Sequence, residues 1–232
     1  MKHLIETADS SSLATVPYDR IVLDSTTNEI VCKGGGYEYV DLGLPSGLKW
    51  AKCNVGAESE TDYGYYFQWG DIVDKSNADC SWATYKHCNG SGTTLTKYCT
   101  NGDGGPYGKV DNKTTLDTED DAAAQIMGGD WRMPTRDELE ELLDKTNNGG
   151  ATINGVRGRK FTSKTDESKY IFIPNSGYRS GSSFFQQGSY VNLWSSSLHI
   201  YFPNFAVRYE SYDDIVSTEE RYVGFPVRGV FK

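Results

Sequence analysis

The stretch PTRDELEELLDK at 134–145 leaves the backbone little choice. Thr135 followed three residues later by Glu138 is an S/T-x-x-E capping box, in which each side chain satisfies a backbone N–H left open at a helix start. Leu139, Leu142 and Leu143 then recur at i, i+3 and i+4 and make one apolar stripe. The carboxylates of Asp137, Glu138, Glu140, Glu141 and Asp144 fall mainly on the solvated face and form no acid/base pair. A second helix is predicted over TEDDAAAQIM, with Thr118 as its cap, an acidic first turn, and Gly128-Gly129 as its end.

Around these helices the chain reads as short strands and turns. YEYVDLGLPSGLKWAKCNVGA is a strand, a turn at Pro45–Gly47 and a second strand, and DYGYYFQWGDI reads as another aromatic strand. Asn147-Asn148-Gly149-Gly150 marks a break after the second helix. GVRGRKFTS, KYIFIPNSGYRSG, YVNLWSSSL, NFAVRYE and YVGFPVRGVF follow as closely spaced strands, the signature of antiparallel sheet. The expectation is an α+β domain over 37–232. Residues 74–117, polar and with six glycines between Asn89 and Gly108, are expected as an inserted loop region, with NGDGGPYG a flexible loop. Residues 1–36 read as an appendage: two strand-like runs at 20–24 and 29–33 form a hairpin, and Gly34-Gly35-Gly36 a hinge. Such an appendage would serve either as an attachment to a larger assembly, homo-oligomers included, or as a lead-in.

The formal net charge is −9 and no Lys/Arg run is present, which argues against nucleic acid and anionic membranes as partners. No apolar window suits a membrane span, and the N-terminus has no apolar segment of signal-peptide length, so neither membrane insertion nor a standard signal peptide is expected. Five cysteines (Cys32, Cys53, Cys80, Cys88, Cys99) without a C-x-x-C pair read as free thiols, with a Cys80–Cys88 disulfide as the alternative. Hydrolase, zinc-protease and nucleotide-loop motifs are absent. His3, His87 and His199 are not at metal-ligand spacing, and His87 beside Cys88 reads as a loop histidine. No cofactor is therefore expected; calcium would have to come from Asp103, Asp111 or Asp117, without a calcium-binding motif.

The closing segment sets a different problem. Between 199 and 225 it carries seven aromatic residues, Tyr201, Phe202, Phe205, Tyr209, Tyr212, Tyr222 and Phe225, in a broken alternation. Rigid rings with polar tips suit a small core and a recognition surface alike.

YEYVDLGLPSGLKWAKCNVGA, DYGYYFQWGD, GGDWRMPTRDELEELLD, and LWSSSL followed by RYVGFPVRGV, in that order, closely resemble the Fibrobacter succinogenes major paralogous domain of Bacteroides-type bacteria and their phages. The resemblance covers about residues 37–231. It implies a C-type lectin-like fold, with two helices, small antiparallel sheets and paired N- and C-terminal strands. WRMPT also occurs in formylglycine-generating enzymes, the runner-up reading. Those oxidases use a late cysteine pair, whereas the last cysteine here is Cys99, before that phrase. The calcium-dependent lectin pattern is matched only by Phe202-Pro203-Asn204, with no Trp-Asn-Asp.

The tail further resembles the variable region of diversity-generating retroelement proteins. It keeps that pattern's constant residues at Trp194-Ser195-Ser196-Ser197-Leu198, Pro203, Ala206, Arg221-Tyr222, Gly224 and Val227-Arg228. The resemblance implies a ligand-facing set within 199–225: His199, Ile200, Tyr201, Phe202, Asn204, Phe205, Val207, Tyr209, Tyr212, Val223 and Phe225. Trp131, Trp194, Gly224 and Arg228 would be scaffold, with Val227 and Val230 also turned inward. The resulting expectation is a non-enzymatic adhesin that binds a protein or glycan receptor, displayed at a phage tail tip or bacterial surface. A structural surface protein is the remaining alternative.

Overall fold

In the computed structural model the described residues are 19–23, 30–34, 36–103 and 107–232, the backbone alone before residue 36. β1 (Asp19–Leu23) and β2 (Ile30–Gly34) pair antiparallel, close to the two runs read from sequence. β2 then pairs with β3 (Tyr37–Asp41), and β3 with β4 (Lys49–Asn54). The expected appendage thus continues the sheet of the domain; of the expected hinge, Gly34 ends β2, Gly36 precedes β3, and Gly35 lies outside the described residues. The β3–β4 connection turns where Gly47 N donates to the Leu44 carbonyl at 2.8 Å.

After the insert, residues 118–120 form a single 3-10 turn, and α1 (Ala122–Met127) follows. The cap is Asp121 rather than Thr118: one carboxylate oxygen accepts from Ala124 N at 2.9 Å and the other from Met133 N at 2.8 Å. α2 (Arg136–Lys145) has the predicted capping box, with both reciprocal bonds formed. Its Glu141, read as solvated, takes the Ser46 N–H and hydroxyl and so docks the β3–β4 turn on the helix.

Residues 147–150 belong to β5 (Thr146–Ile153), not to a break. The turn lies further on at Asn154-Gly155, both at positive φ, as a two-residue hairpin with right-handed strand twist requires. β5 pairs along its whole length with β6 (Val156–Ser163), and β6 with β7 (Tyr170–Pro174). A short hairpin follows, β8 (Tyr178–Ser180) with β9 (Ser183–Phe185). β10 (Asn192–Leu198), β11 (Phe205–Glu210) and β12 (Ile215–Glu220) form a third sheet. β12 was not expected from the sequence, because IVSTEE lacks aromatic alternation and pairs only through β11. β13 (Arg228–Phe231) returns to β4, setting Val230 opposite Trp50 and completing a five-stranded sheet in the order β1-β2-β3-β4-β13. The fold is α+β, small antiparallel sheets with two helices.

Two apolar cores lie between these layers. In one, Leu139 and Leu142 of α2 meet Trp50, Phe161, Leu193 and Val230. In the other, Trp69, Trp131, Trp194 and Phe225 pack with Met133 and Val227. The expected aromatic strand at 62–72 makes only one bridge, Phe67 to Phe225, since its rings are used in this second core rather than in a ladder. The insert is not a bare loop: Tyr85, Leu95 and Cys99 form a small core of their own. Residues 104–106 of the expected flexible loop lie outside the described set. After them, Gly108 is bridged to Leu95. Cys80 and Cys88 are both free thiols.

Candidate functional site

The ladder between β10 and β11 is interrupted from Trp194 to Leu198, and the three serines in the gap explain why. Ser195 Oγ donates to the Val207 carbonyl at 2.9 Å. Ser196 N donates to the Pro134 carbonyl at 2.8 Å, and its own carbonyl accepts from Leu116 N at 3.0 Å. Ser197 Oγ accepts from Arg136 N, the first residue of α2, at 3.0 Å. Small side chains let this strand pass between α2 and the end of the insert. Trp194 anchors it: its indole N–H reaches the Phe67 carbonyl at 2.8 Å, and its ring meets Phe225 edge-on at 4.6 Å.

Beyond Leu198 the chain forms a tip, residues 199–204. His199 N donates to the Phe205 carbonyl at 3.1 Å and Phe205 N to the Phe202 carbonyl at 2.9 Å. His199 Nδ1 accepts from Tyr201 N at 3.2 Å and Phe202 N at 2.9 Å, while the imidazole stacks on Phe202 at 5.2 Å. Those bonds require an unprotonated Nδ1. Burial, and then the Arg136 charge, hold the imidazole pKa below its ordinary value. The insert grips the tip from below, through Thr100 Oγ1 to the Ile200 carbonyl and Asp103 N to the Tyr201 carbonyl, both 2.9 Å. Gly102 lies so close beneath that a Cβ there would collide with the Tyr201 carbonyl and the Pro203 ring.

Arg221 fastens the other side. Its guanidinium is fully buried and donates to the Pro203 carbonyl at 2.9 Å, the Tyr98 carbonyl at 3.0 Å, the Lys97 carbonyl at 3.1 Å and the Tyr85 hydroxyl at 2.7 Å. The rings of Trp69 and Tyr85 flank it at 4.8 and 5.1 Å, where aromatic faces favour a cation. With the backbone polar groups taken up inside, three apolar side chains point outward: Ile200, Tyr201 and Phe202 are 54%, 56% and 43% exposed.

The expected ligand-facing set therefore divides. Ile200, Tyr201 and Phe202 form the outer tip, His199 organises it from within, and Asn204 and Phe205 are half-buried beneath it. Val207, Tyr209, Val223 and Phe225 are a correction, being at most 4% exposed. Tyr209 is in the α2 core and meets Phe161 at 5.8 Å with its hydroxyl on Asp214, and Val223 and Phe225 belong to the core around Trp194. Val207 lies under the Ser195 hydroxyl. Tyr212 is exposed, but in the β11–β12 turn against Tyr190. It is thus separated from the tip by the six residues of β11, about 20 Å of extended strand.

The expected scaffold positions are buried. Trp131 packs on Phe231 at 4.6 Å. Gly224 allows close approach of Cys80 and Arg179, which a Cβ would crowd. Arg228 donates to Asn54 Oδ1 and to the carbonyls of Ala51, Lys52 and Phe172; burial pushes its pKa down to about 10.

A hollow of about 470 Å³ opens beside the tip, between Tyr201 and the start of α2. Arg136, Asp137, Thr114 and Thr115 complete it with exposed side chains. Their convergence was invisible in the sequence, because a strand bridge between Thr115 and Ser197 brings them together.

Among the described residues one acidic group has cation-binding geometry, Asp117, Glu119 and Asp120. Lys97 Nζ lies on all three, at 2.7, 3.0 and 2.6 Å, and Lys86 and Lys113 neutralise it further. Asp111, considered for calcium, instead caps the backbone N–H groups of Tyr98, Cys99 and Lys113. Asp103 supports the tip through its N–H. His87, read as a loop histidine, lies in a turn of the insert but is buried there between Tyr85 and Tyr98, with Nε2 3.0 Å from the Gly70 carbonyl.

No protein-family model matches the chain, and neither the curated proteins nor the solved structures include a match.

Proposed function

We propose that the chain is a non-enzymatic receptor-binding protein, in which a C-type lectin-like scaffold presents the tip at 199–205 as its recognition surface. The observation that carries this reading is the exposure of Ile200, Tyr201 and Phe202 together, on a loop whose backbone is fixed from three sides. A rigid loop loses little entropy on binding, and a ring that becomes buried contributes about 2 kcal/mol or more as an anchor. Part of the pattern of retroelement-diversified tails supports this division: of its constant positions Trp194, Gly224 and Arg228 are inside, and of its changeable ones Ile200, Tyr201 and Phe202 are outside, whereas Val207, Tyr209, Val223 and Phe225 are buried. Display on a virion or bacterial surface follows from that resemblance. Among the described residues no helix is long and apolar enough to cross a membrane.

The test is attachment of purified protein to bacterial cells from its source community, scored by flow cytometry. Tyr201→Ser with Phe202→Ser is expected to abolish attachment while the melting temperature stays close to that of the parent. Unchanged attachment would support a structural surface protein instead.

A further inference from the structure

We propose that the hollow beside the tip is a sugar-binding subsite, taking one neutral, hydroxyl-rich ring of a glycan between Tyr201 and the Arg136–Asp137 pair. This rests on the recognition reading of the tip and adds the chemistry of its ligand. A sugar ring has an apolar C–H face and a rim of hydroxyls that each donate and accept. Its site needs an aromatic or aliphatic wall and convergent polar groups of both kinds.

The hollow has both. Its volume, about 470 Å³, is within the range of small-molecule sites. Tyr201 and Ile200 are the apolar wall, more than half exposed. Asp137 is acceptor-only, and its carboxylate makes no hydrogen bond or ion pair among the described residues. Arg136 uses Nε on Glu140 at 2.8 Å, which leaves its terminal nitrogens as donors. His199 spends Nδ1 on the tip backbone and has Nε2–H to give. The Thr114 and Thr115 hydroxyls do either.

Charge selects among glycans. Arg136 and Asp137 are adjacent and opposite, so the hollow carries little net charge, while the chain as a whole is at −9. An acidic sugar would be repelled at long range and would meet Asp137 at contact. An apolar peptide side chain would fill the volume but leave these donors and acceptors unpaired, a penalty for every group it desolvates.

A glycan array of neutral and acidic oligosaccharides, probed with the purified chain, tests the assignment. Binding is expected on neutral glycans only. It should weaken at least tenfold in Asp137→Ala, Thr114→Val and Tyr201→Ala, and persist in Tyr201→Phe, with melting curves showing all four folded. Binding confined to acidic glycans, or untouched by Asp137→Ala, overturns it. Cell attachment separates this idea from the reading beneath it. If attachment is lost in the Tyr201/Phe202 double variant but survives both periodate treatment of the cells and Asp137→Ala, the tip still recognises a receptor and the sugar subsite is wrong. If attachment is indifferent to all of these changes, both fall.

Discussion

Arg221 Nη1 lies 2.9 Å from the Pro203 carbonyl, and the same nitrogen reaches the Tyr98 carbonyl of the insert at 3.0 Å. One buried cation, without a carboxylate partner among the described residues, therefore ties the tip to the insert, compensated by carbonyl oxygens and ring faces. Removing it would leave three buried carbonyls with reduced satisfaction, each worth about 1–3 kcal/mol, as well as a cavity. Arg221→Ala is expected to destabilise the domain by at least about 3 kcal/mol in chemical denaturation. An effect below about 1 kcal/mol would mean the guanidinium is not the fastening described.

The division of the aromatic tail predicts opposite outcomes for similar substitutions. Phe225→Ala and Tyr209→Ala empty fully buried sites and should each cost about 3–5 kcal/mol. Tyr201→Ala and Phe202→Ala remove exposed rings and should stay within about 0.5 kcal/mol. Urea titration of the four variants measures the contrast. Equal losses would place the tip in the core.

Acid should destabilise the domain over two pH ranges. Burial lowers the His87 pKa, only partly offset by Asp120 and the Gly70 carbonyl, so the folded state keeps the imidazole neutral. Below about pH 6.5 the unfolded chain takes up the proton first, and stability falls. Burial raises the Asp120 pKa, but hydrogen bonds from Lys86, Lys97 and Tyr98 outweigh it and hold the carboxyl well below the usual range. Its contribution is complete above about pH 4 and is lost as pH falls further. The melting temperature should thus decline from about pH 6.5 and more steeply below about pH 4, with the first limb absent in His87→Gln. A flat profile to pH 3 contradicts the network.

Thr135→Ala removes the α2 cap and one half of its box, at an expected cost of about 1 kcal/mol. Because Arg136 N is held by Ser197, the same change should loosen the strand leading to the tip. Amide exchange at Arg136 and Ser196 is the readout; protection unchanged from the parent would separate the cap from the tip.

What could be read from the sequence was what short-range chemistry decides. The Thr135–Glu138 box, the leucine stripe and the Pro45–Gly47 turn are all local, and each formed as expected. Long-range pairing was not legible. β12 exists because β11 offers it an edge, and 147–150 are extended because β6 pairs with them, against their Asn/Gly composition. In the tail the outer tip was recognisable, but β11 turns Val207 and Tyr209 to the inside, and no alternation rule could tell that face from the other before the position of α2 was known. The hollow required a bridge between the insert and β10 that no local pattern marks.

The most direct test is the sequence of the codons for residues 192–232 across many cells or virions of one source population. The account predicts that substitutions gather at Ile200, Tyr201 and Phe202 and at other exposed positions such as Tyr212, and that Trp194, Arg221, Gly224 and Arg228 do not change. Codons equally fixed throughout, or substitutions spread evenly over buried and exposed positions, would contradict it.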